Sequence, residues 1–270
     1  MSAALAGPQA AYDLSGRVAI VTGAGGGIGR ATAELFAAAG ALIVCADISD
    51  GAEETAAIIA EWGGEAVPVR VDVAQQAEVE AMVANAVTRF GRLDAIVNNA
   101  ATISTHLVSE LKEAELDRIL SVNLKGVFFG CKAAARVMAT AGSGSIVNVA
   151  SSAIDLALPR TVAYSMSKAA VTQLGKCLAA ELGPRGVRVN TVAPGFVVTP
   201  MTSRHFTNPD GSIDEVKKQA VVAELSRGLV LPAPTEAMDV AQAILFLASD
   251  AGRQFTGQIL RPNGGISMPW

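Results

Sequence analysis

Residues 17–29 read RVAIVTGAGGGIG, a short apolar run that breaks into a glycine-rich turn, and an Ala-rich stretch from Arg30 to Ala39 follows. Apolar strand formers, then glycines, then helix formers predict a strand, a tight loop and a helix. The same rhythm continues along the chain. ALIVCAD (41–47) reads as a second strand, 51–62 as a helix, AVPVRVD (66–72) as a third strand, 75–90 as a helix, and LDAIVNNA (93–100) as a fourth strand running into a turn. Residues 113–139 hold one or two helices, SIVNVA (145–150) is a fifth strand, and a helix over 162–182 stops at Gly183–Pro184. VRVNTVA (187–193), a helix over 236–249 and a short strand QILRP (258–262) complete the pattern. Parallel strands need helical crossovers of this kind. The expected fold is α/β, a doubly wound parallel sheet of about seven strands with helices on both faces, in a single domain over 1–270.

Composition agrees with buried strands and excludes several function classes. Apolar residues make up 51% of the 270, charged residues only 17% and aromatics only 4%, so the core is aliphatic and the chain is neither disordered nor fibrous. Acidic residues outnumber basic ones, 25 to 21, and no Lys/Arg run resembles a nucleic-acid footprint, so no nucleic-acid partner is expected. No apolar stretch reaches the ~18 residues of a membrane helix, and the Ala-rich start lacks a basic flank. A cytoplasmic protein with no membrane partner is expected. Cys45, Cys131 and Cys177 have no close pairing, which argues against disulfides and against a zinc site. Residues 198–235 carry four prolines and two glycines and are too long for an ordinary connector. They read as a substrate lid within the domain, or as a passive surface excursion.

The loop Thr22–Gly29 follows a strand and opens a helix. Gly23, Gly25, Gly27 and Gly29 let the backbone turn tightly and approach a pyrophosphate, beside Ile28 and the unpaired N–H groups of a helix start. Asp47 ends the second strand 18 residues after Gly29, where a carboxylate accepts the hydroxyls of an adenosine ribose and repels a 2′-phosphate. Position 25 is Gly and position 48 is Ile, and Arg30 is expected to point away, so no cation favours the phosphate. NAD is therefore the expected cofactor, in a Rossmann-like site. Asp72 and the backbone of Val73 are candidates for the adenine.

Tyr164 and Lys168 stand four apart at a helix start, which puts them on one helix face. A phenol with a pKa near ~10 is a poor acid–base group until a neighbouring ammonium favours the phenolate. Ser151, thirteen residues earlier at the end of the fifth strand, is a candidate to hold a carbonyl oxygen beside that phenol.

With these residues in hand, the chain resembles the short-chain dehydrogenase/reductase family over about 14–266. The glycine loop is Thr22–Gly29, the family's NNAG turn appears as Asn98-Asn99-Ala100-Ala101, its helix asparagine matches Asn123 in SVNLKG, and Tyr164/Lys168 are its YxxxK pair. Pro194-Gly195 and Thr199 match the segment after the sixth strand. The resemblance implies that Tyr164 is the general acid/base, that Ser151 polarises the substrate oxygen, that Lys168 holds the nicotinamide ribose and lowers the Tyr164 pKa, and that Asn123 keeps a relay water. It adds Asn99, Ala100, Pro194, Gly195, Val197, Thr199 and Met201 to the cofactor residues, with Thr199 and the Val197 backbone on the carboxamide. It implies metal-free hydride transfer and a homotetramer built on the helices near 113–139 and 162–182. Two departures stand out: Ala101 replaces glycine, and RPNGG at 261–265 replaces VDGG, with Arg261 and Asn263 expected to alter a subunit contact.

The expected pocket draws on 101–106, 152–160 and the lid. Ile103, Ile154, Leu156, Leu158, Met201 and Phe206 suit a hydrophobic secondary alcohol or ketone. Asp155 either binds a second substrate hydroxyl or faces solvent, His106 and His205 read as pocket-edge residues, and Arg160 and Arg204 offer a weak case for an anionic substrate. The leading function is an NAD-dependent secondary alcohol dehydrogenase or ketone reductase. The alternatives are a 3-oxoacyl thioester reductase and, from another class, a cofactor-binding scaffold without turnover.

Overall fold

The computed structural model describes residues 7–203, 206–208 and 210–269; Arg204 and His205 lie outside them. Seven parallel strands form one sheet in the order β3-β2-β1-β4-β5-β6-β7. They are β1 (Val18–Thr22), β2 (Leu42–Asp47), β3 (Ala66–Arg70), β4 (Ala95–Asn98), β5 (Gly144–Val149), β6 (Val187–Val192) and β7 (Ile259–Leu260). The central strands VAIVT and AIVN are buried at every residue, as a sheet covered on both faces requires. Alternation along β1 divides two cores. Ala19 and Val21 pack with Phe36 of α1 (Gly27–Ala38), Ile59 of α2 (Gly51–Glu61) and Ile244 of α9 (Ala237–Ala248). Val18 and Ile20 pack with Met82 of α3 (Gln76–Phe90), Met138 of α5 (Val127–Ala141) and Val171 of α6 (Val162–Leu182).

The helix expected over 113–139 is divided. α4 (Glu113–Leu120) passes through a π-helical stretch, Ser121–Gly126, before α5 begins. A wider turn of this kind is often found at functional sites, and Asn123 sits inside it. The excursion at 198–235 holds α7 (Pro200–Ser203) and α8 (Glu215–Leu225), and its ends meet where Val197 bridges Thr235. No residue of α8 is buried, so that helix lies against the body only loosely.

The strand order reverses between β1 and β4, whose neighbours are reached by connections on opposite sides. A crevice opens at the carboxyl ends of strands at such a switch. Thr22, Asp47, Asn98 and Val149 all end their strands on that edge. No helix among the described residues is long and apolar enough to cross a membrane.

Gly130 is the point where α5 crosses β4, and a Cβ there would overlap Asn98 Oδ1. Gly130→Ala should lower the urea midpoint, with a loss of about 1–3 kcal/mol expected for overpacking a core contact. An unchanged midpoint would show that the contact yields freely.

Candidate active site

The glycine loop is shaped by what surrounds it. Gly23 and Gly27 take positive φ, +67° and +54°. A Cβ on Gly29 would overlap the Gly23 carbonyl oxygen, and one on Gly27 would meet the Thr199 side chain at 2.9 Å. Thr22 ties the loop to the turn after β4. Its Oγ1 donates to Val97 O at 3.2 Å and accepts the N–H groups of Asn99 and Ala100 at 3.0 and 3.1 Å. The Asn99 Nδ2 donates back to Thr22 O at 2.9 Å. From the other side, buried Thr55 on α2 donates to Ala24 O at 2.7 Å. These bonds hold a glycine-lined turn, approached by the side chains of Thr199 at Gly27 and Pro200 at Gly26, whose missing Cβ atoms fit the approach of a dinucleotide pyrophosphate.

Asp47 is held in place at the rim of that cradle. Its Oδ2 accepts the Gly25 N–H at 2.9 Å, and its Oδ1 accepts Ser49 N–H and Oγ–H at 2.9 and 2.8 Å. Ile48 beside it is exposed, as a residue facing a flat base would be. Asp72 caps the turn into α3 by accepting Ala74 N–H at 2.9 Å, and Val73 is buried beneath Gly126.

Arg30 corrects the sequence expectation. It does not point away: Nη2 donates to Gly25 O and to Glu54 Oε2, both at 2.8 Å, and Nε donates to Thr55 at 2.9 Å. The side chain is long enough to fold back along the first turn of α1 and brace the loop it follows. The Glu54 carboxylate opposes its charge, so the guanidinium serves as a strut between α1, the loop and α2.

Across the crevice, Lys168 is almost wholly buried, and its Nζ donates to Val149 O at 2.7 Å. Burial pushes its pKa down to about 8. Nζ lies 5.8 Å from the centre of the half-buried Tyr164 ring, one helical turn earlier. Val149 stands two residues before Ser151, so the same bond brings the end of β5 to the start of α6. Ser151 Oγ accepts the Ala153 N–H at 3.2 Å, which leaves its hydroxyl proton to donate elsewhere. Neighbouring Ser152 is buried and gives its N–H to Pro194 O at 2.7 Å, which sets the Ser151 and Pro194–Gly195 loops side by side.

Asn123 is fully buried, and its side chain is taken up by protein. Oδ1 accepts Thr102 N–H at 2.8 Å, while Nδ2 donates to Thr102 O at 2.9 Å and to Ser167 Oγ at 3.1 Å. It splints the loop after β4 to α6.

On the substrate side, Ile154, Leu156 and Ile103 are half-buried, and Met201 lies on α7. Phe206 is buried, so its ring packs within the lid base rather than forming an open wall. Asp155 does not face solvent. Its carboxylate accepts Arg261 Nε at 2.7 Å and Nη2 at 3.3 Å. Arg160 has φ +67°, the only positive value at a non-glycine among the described residues, and its carbonyl accepts the His106 N–H at 2.9 Å, joining two pocket loops. Sequence reading gave no role to Thr22, Thr55 or the inward-folded Arg30. Thr22 and Arg30 flank the glycine loop in sequence, but the parts played by Arg30 and Thr55 become legible only once α2 is packed against it.

The family model described as Enoyl-(Acyl carrier protein) reductase, adh_short_C2, matches residues 23–267. Momilactone A synthase from Oryza sativa subsp. japonica is 42% identical over 261 residues, covering 96% of this chain and 92% of that protein. D-threitol dehydrogenase from Mycolicibacterium smegmatis is 39% identical over 260 residues, covering 95% of each. A solved structure from Beutenbergia cavernae with NADP at low occupancy superposes with a TM-score of 0.86 at 34% identity, covering 95% of this chain and 98% of that one. Together with the strand order, the glycine cradle and the Tyr164–Lys168 face, these likenesses establish that the chain belongs to the short-chain dehydrogenase/reductase family of NAD(P)-dependent oxidoreductases.

Proposed function

We propose that the protein interconverts a hydrophobic secondary alcohol and its ketone with NAD, using Tyr164 as the general acid/base. The observation that carries this reading is the buried Lys168–Val149 bond, which gathers Lys168, Tyr164 and the Ser151 loop in one place. The nicotinamide dinucleotide, when bound, supplies the two-electron hydride acceptor or donor. Everything else falls to the chain. The Ser151 hydroxyl donates to the substrate oxygen and orients it. Tyr164 Oη takes the alcohol proton in oxidation and returns it in reduction. The Lys168 charge favours the phenolate form and reaches toward the nicotinamide ribose. The Asn123 carbonyl holds the water that passes the proton outward.

Gly23, Gly25, Gly27, Ile28 and Gly29 receive the pyrophosphate, Asp47 and Ile48 the adenosine ribose and its base, and Asp72 and Val73 the adenine. Asn99, Ala100, Pro194, Gly195, Val197, Thr199 and Met201 line the nicotinamide end. Asp47 supports NAD, because a carboxylate at the end of β2 would accept ribose hydroxyls and repel a 2′-phosphate. Residues 198–235 act as the lid, with loosely packed α8 as its moving part. The protein works as a cytoplasmic homotetramer, and half-exposed Phe128 on α5 and Met166 on α6 support that reading. The family model's description favours one other substrate class, an acyl thioester. Turnover of a 3-oxoacyl thioester in preference to simple ketones would select it.

Tyr164→Phe should lower alcohol oxidation at least about a hundredfold while NAD still binds, as fluorescence titration would show. Unchanged turnover removes Tyr164 from the mechanism. Asp47→Ala should weaken NAD at least about tenfold, the scale of a lost charge-assisted hydrogen bond, and weaken NADP less or tighten it, because the repulsion of a 2′-phosphate goes with the carboxylate. Equal losses for both cofactors contradict the ribose reading.

Lys168 gives a pH signature in stability. Its folded pKa of about 8 lies below the ordinary 10.5. Between those values the unfolded chain keeps a proton that the folded chain has released, so stability rises with pH across that window. Lys168→Met should abolish the rise, which amounts to about 3 kcal/mol at most. Urea midpoints of the two proteins at several alkaline pH values check this.

A further inference from the structure

The Asp155–Arg261 ion pair joins parts of the chain 106 residues apart, and neither sequence motif nor family likeness gives it a task. Asp155 lies four residues after Ser151, at the end of the single turn Ser152–Ile154, and its own N–H donates to Ser152 O at 2.9 Å. The Asp155 side chain is 12% exposed and that of Arg261 26%, so the pair is largely shielded from solvent. Arg261 meets the carboxylate with two nitrogens, at 2.7 and 3.3 Å, and its third, Nη1, donates to Ile259 O at 3.2 Å. Ser267 Oγ adds a longer contact to Asp155 at 3.4 Å. The guanidinium thus clamps the loop that carries Ser151 onto the end of β7.

The residues after Arg261 extend that clamp to the Pro194–Gly195 loop and to the 198–235 excursion. Pro262 O accepts the Gly195 N–H at 3.2 Å. Buried Asn263 closes the segment on itself, donating from Nδ2 to Ser267 O and Oγ and accepting the Gly265 N–H, all at 2.9 Å. Gly264 O then accepts the N–H groups of Val230 and Leu231, at 2.8 and 3.0 Å, at the far end of the excursion. One short C-terminal segment therefore touches the Ser151 loop, the Pro194–Gly195 loop and the base of residues 198–235.

We propose that Asp155 is a positioning residue. Through Arg261 it straps the Ser151 loop to the C-terminal segment and fixes the substrate-side wall, and its carboxylate is not a ligand for a substrate hydroxyl. A bidentate pair suits this task, because the planar fork sets orientation as well as distance. The inference rests on Ser151 facing the substrate, as in the proposed function, and it separates substrate binding from cofactor binding.

The test uses the full chain with Asp155→Asn, Arg261→Met and the double variant, and with Arg261→Lys, which keeps the charge but loses the fork. Each single change should raise the Michaelis constant of the best alcohol from a broad panel roughly tenfold, with that of NAD within about twofold. The double variant should be no worse than the poorer single one, because both lose the same strap. Hydrogen exchange of peptides covering 152–160 should quicken in all of them, with Arg261→Lys intermediate. An unchanged alcohol Michaelis constant, additive damage, an equal loss for NAD or unaltered exchange overturns the strap. If the unsubstituted protein oxidises no alcohol, the proposed reaction fails instead, and the exchange experiment still decides the strap. Should Asp155→Asn or Arg261→Met fail to fold, Arg261→Lys alone carries both measurements.

Discussion

The candidate active site depends on a single hydrogen bond between a buried ammonium and a strand-end carbonyl. Lys168 Nζ reaches Val149 O at 2.7 Å, and that contact fixes the register of α6 against β5. Every residue of α6 follows from that register. Tyr164, one turn earlier, is carried to the rim, and Ser167, next to the lysine, is placed under the Asn123 amide at 3.1 Å. A charge removed from water is costly, and a lowered pKa is how the fold expresses that cost. A lysine in this place is a poor choice for stability alone. Its burial one helical turn from Tyr164 is the feature on which the proposed acid–base role rests.

The cofactor side obeys a different constraint, exclusion. Five glycines strip most of the loop of side chains, but glycines alone would leave it floppy, since they have the most conformational freedom to lose. Thr22, Thr55 and Arg30 supply the rigidity that the loop cannot. Thr22 binds it to the β4 turn, Thr55 hangs it from α2, and Arg30 crosses from the first turn of α1 to the Gly25 carbonyl. Asp47 takes the Gly25 N–H from the opposite side. A braced loop at a helix start offers its unpaired N–H groups to a phosphate from a fixed frame.

What could be read from sequence was local. Strand and helix periods, the glycine run and the four-residue Tyr164–Lys168 spacing each lie within one element or one junction, and the sheet follows once the crossovers are taken as right-handed. The parts that escaped reading join distant elements. Arg30 was expected outward because helix geometry alone does not show that α2 stands within reach of its guanidinium. Asp155 reads from sequence as either a substrate ligand or a solvated carboxylate, because its partner Arg261 follows β7, 106 residues away. The π-helical stretch at Ser121–Gly126 was read as an ordinary helix because residue composition carries no signature of an extra residue per turn. The pairing of Asn123 with Thr102 and Ser167 accounts for why the turn is tolerated there.

These two kinds of constraint divide the molecule. The glycine loop is bonded to neighbouring strands and helices at Thr22, Gly23, Ala24 and Gly25, so its geometry is set by several elements at once. The substrate half is held at few points. Val197 and Thr235 close the ends of the excursion, Gly264 grips it near Val230 and Leu231, and Arg261 grips the Ser151 loop. Between those points α8 packs no side chain inward. Low contact density of this kind marks segments that open at little cost in free energy. The glycine loop is thus fixed by many partners and the 198–235 excursion by few, and that is why the motifs, which lie on the well-bonded elements, specify the oxidoreductase family far more tightly than they specify a substrate.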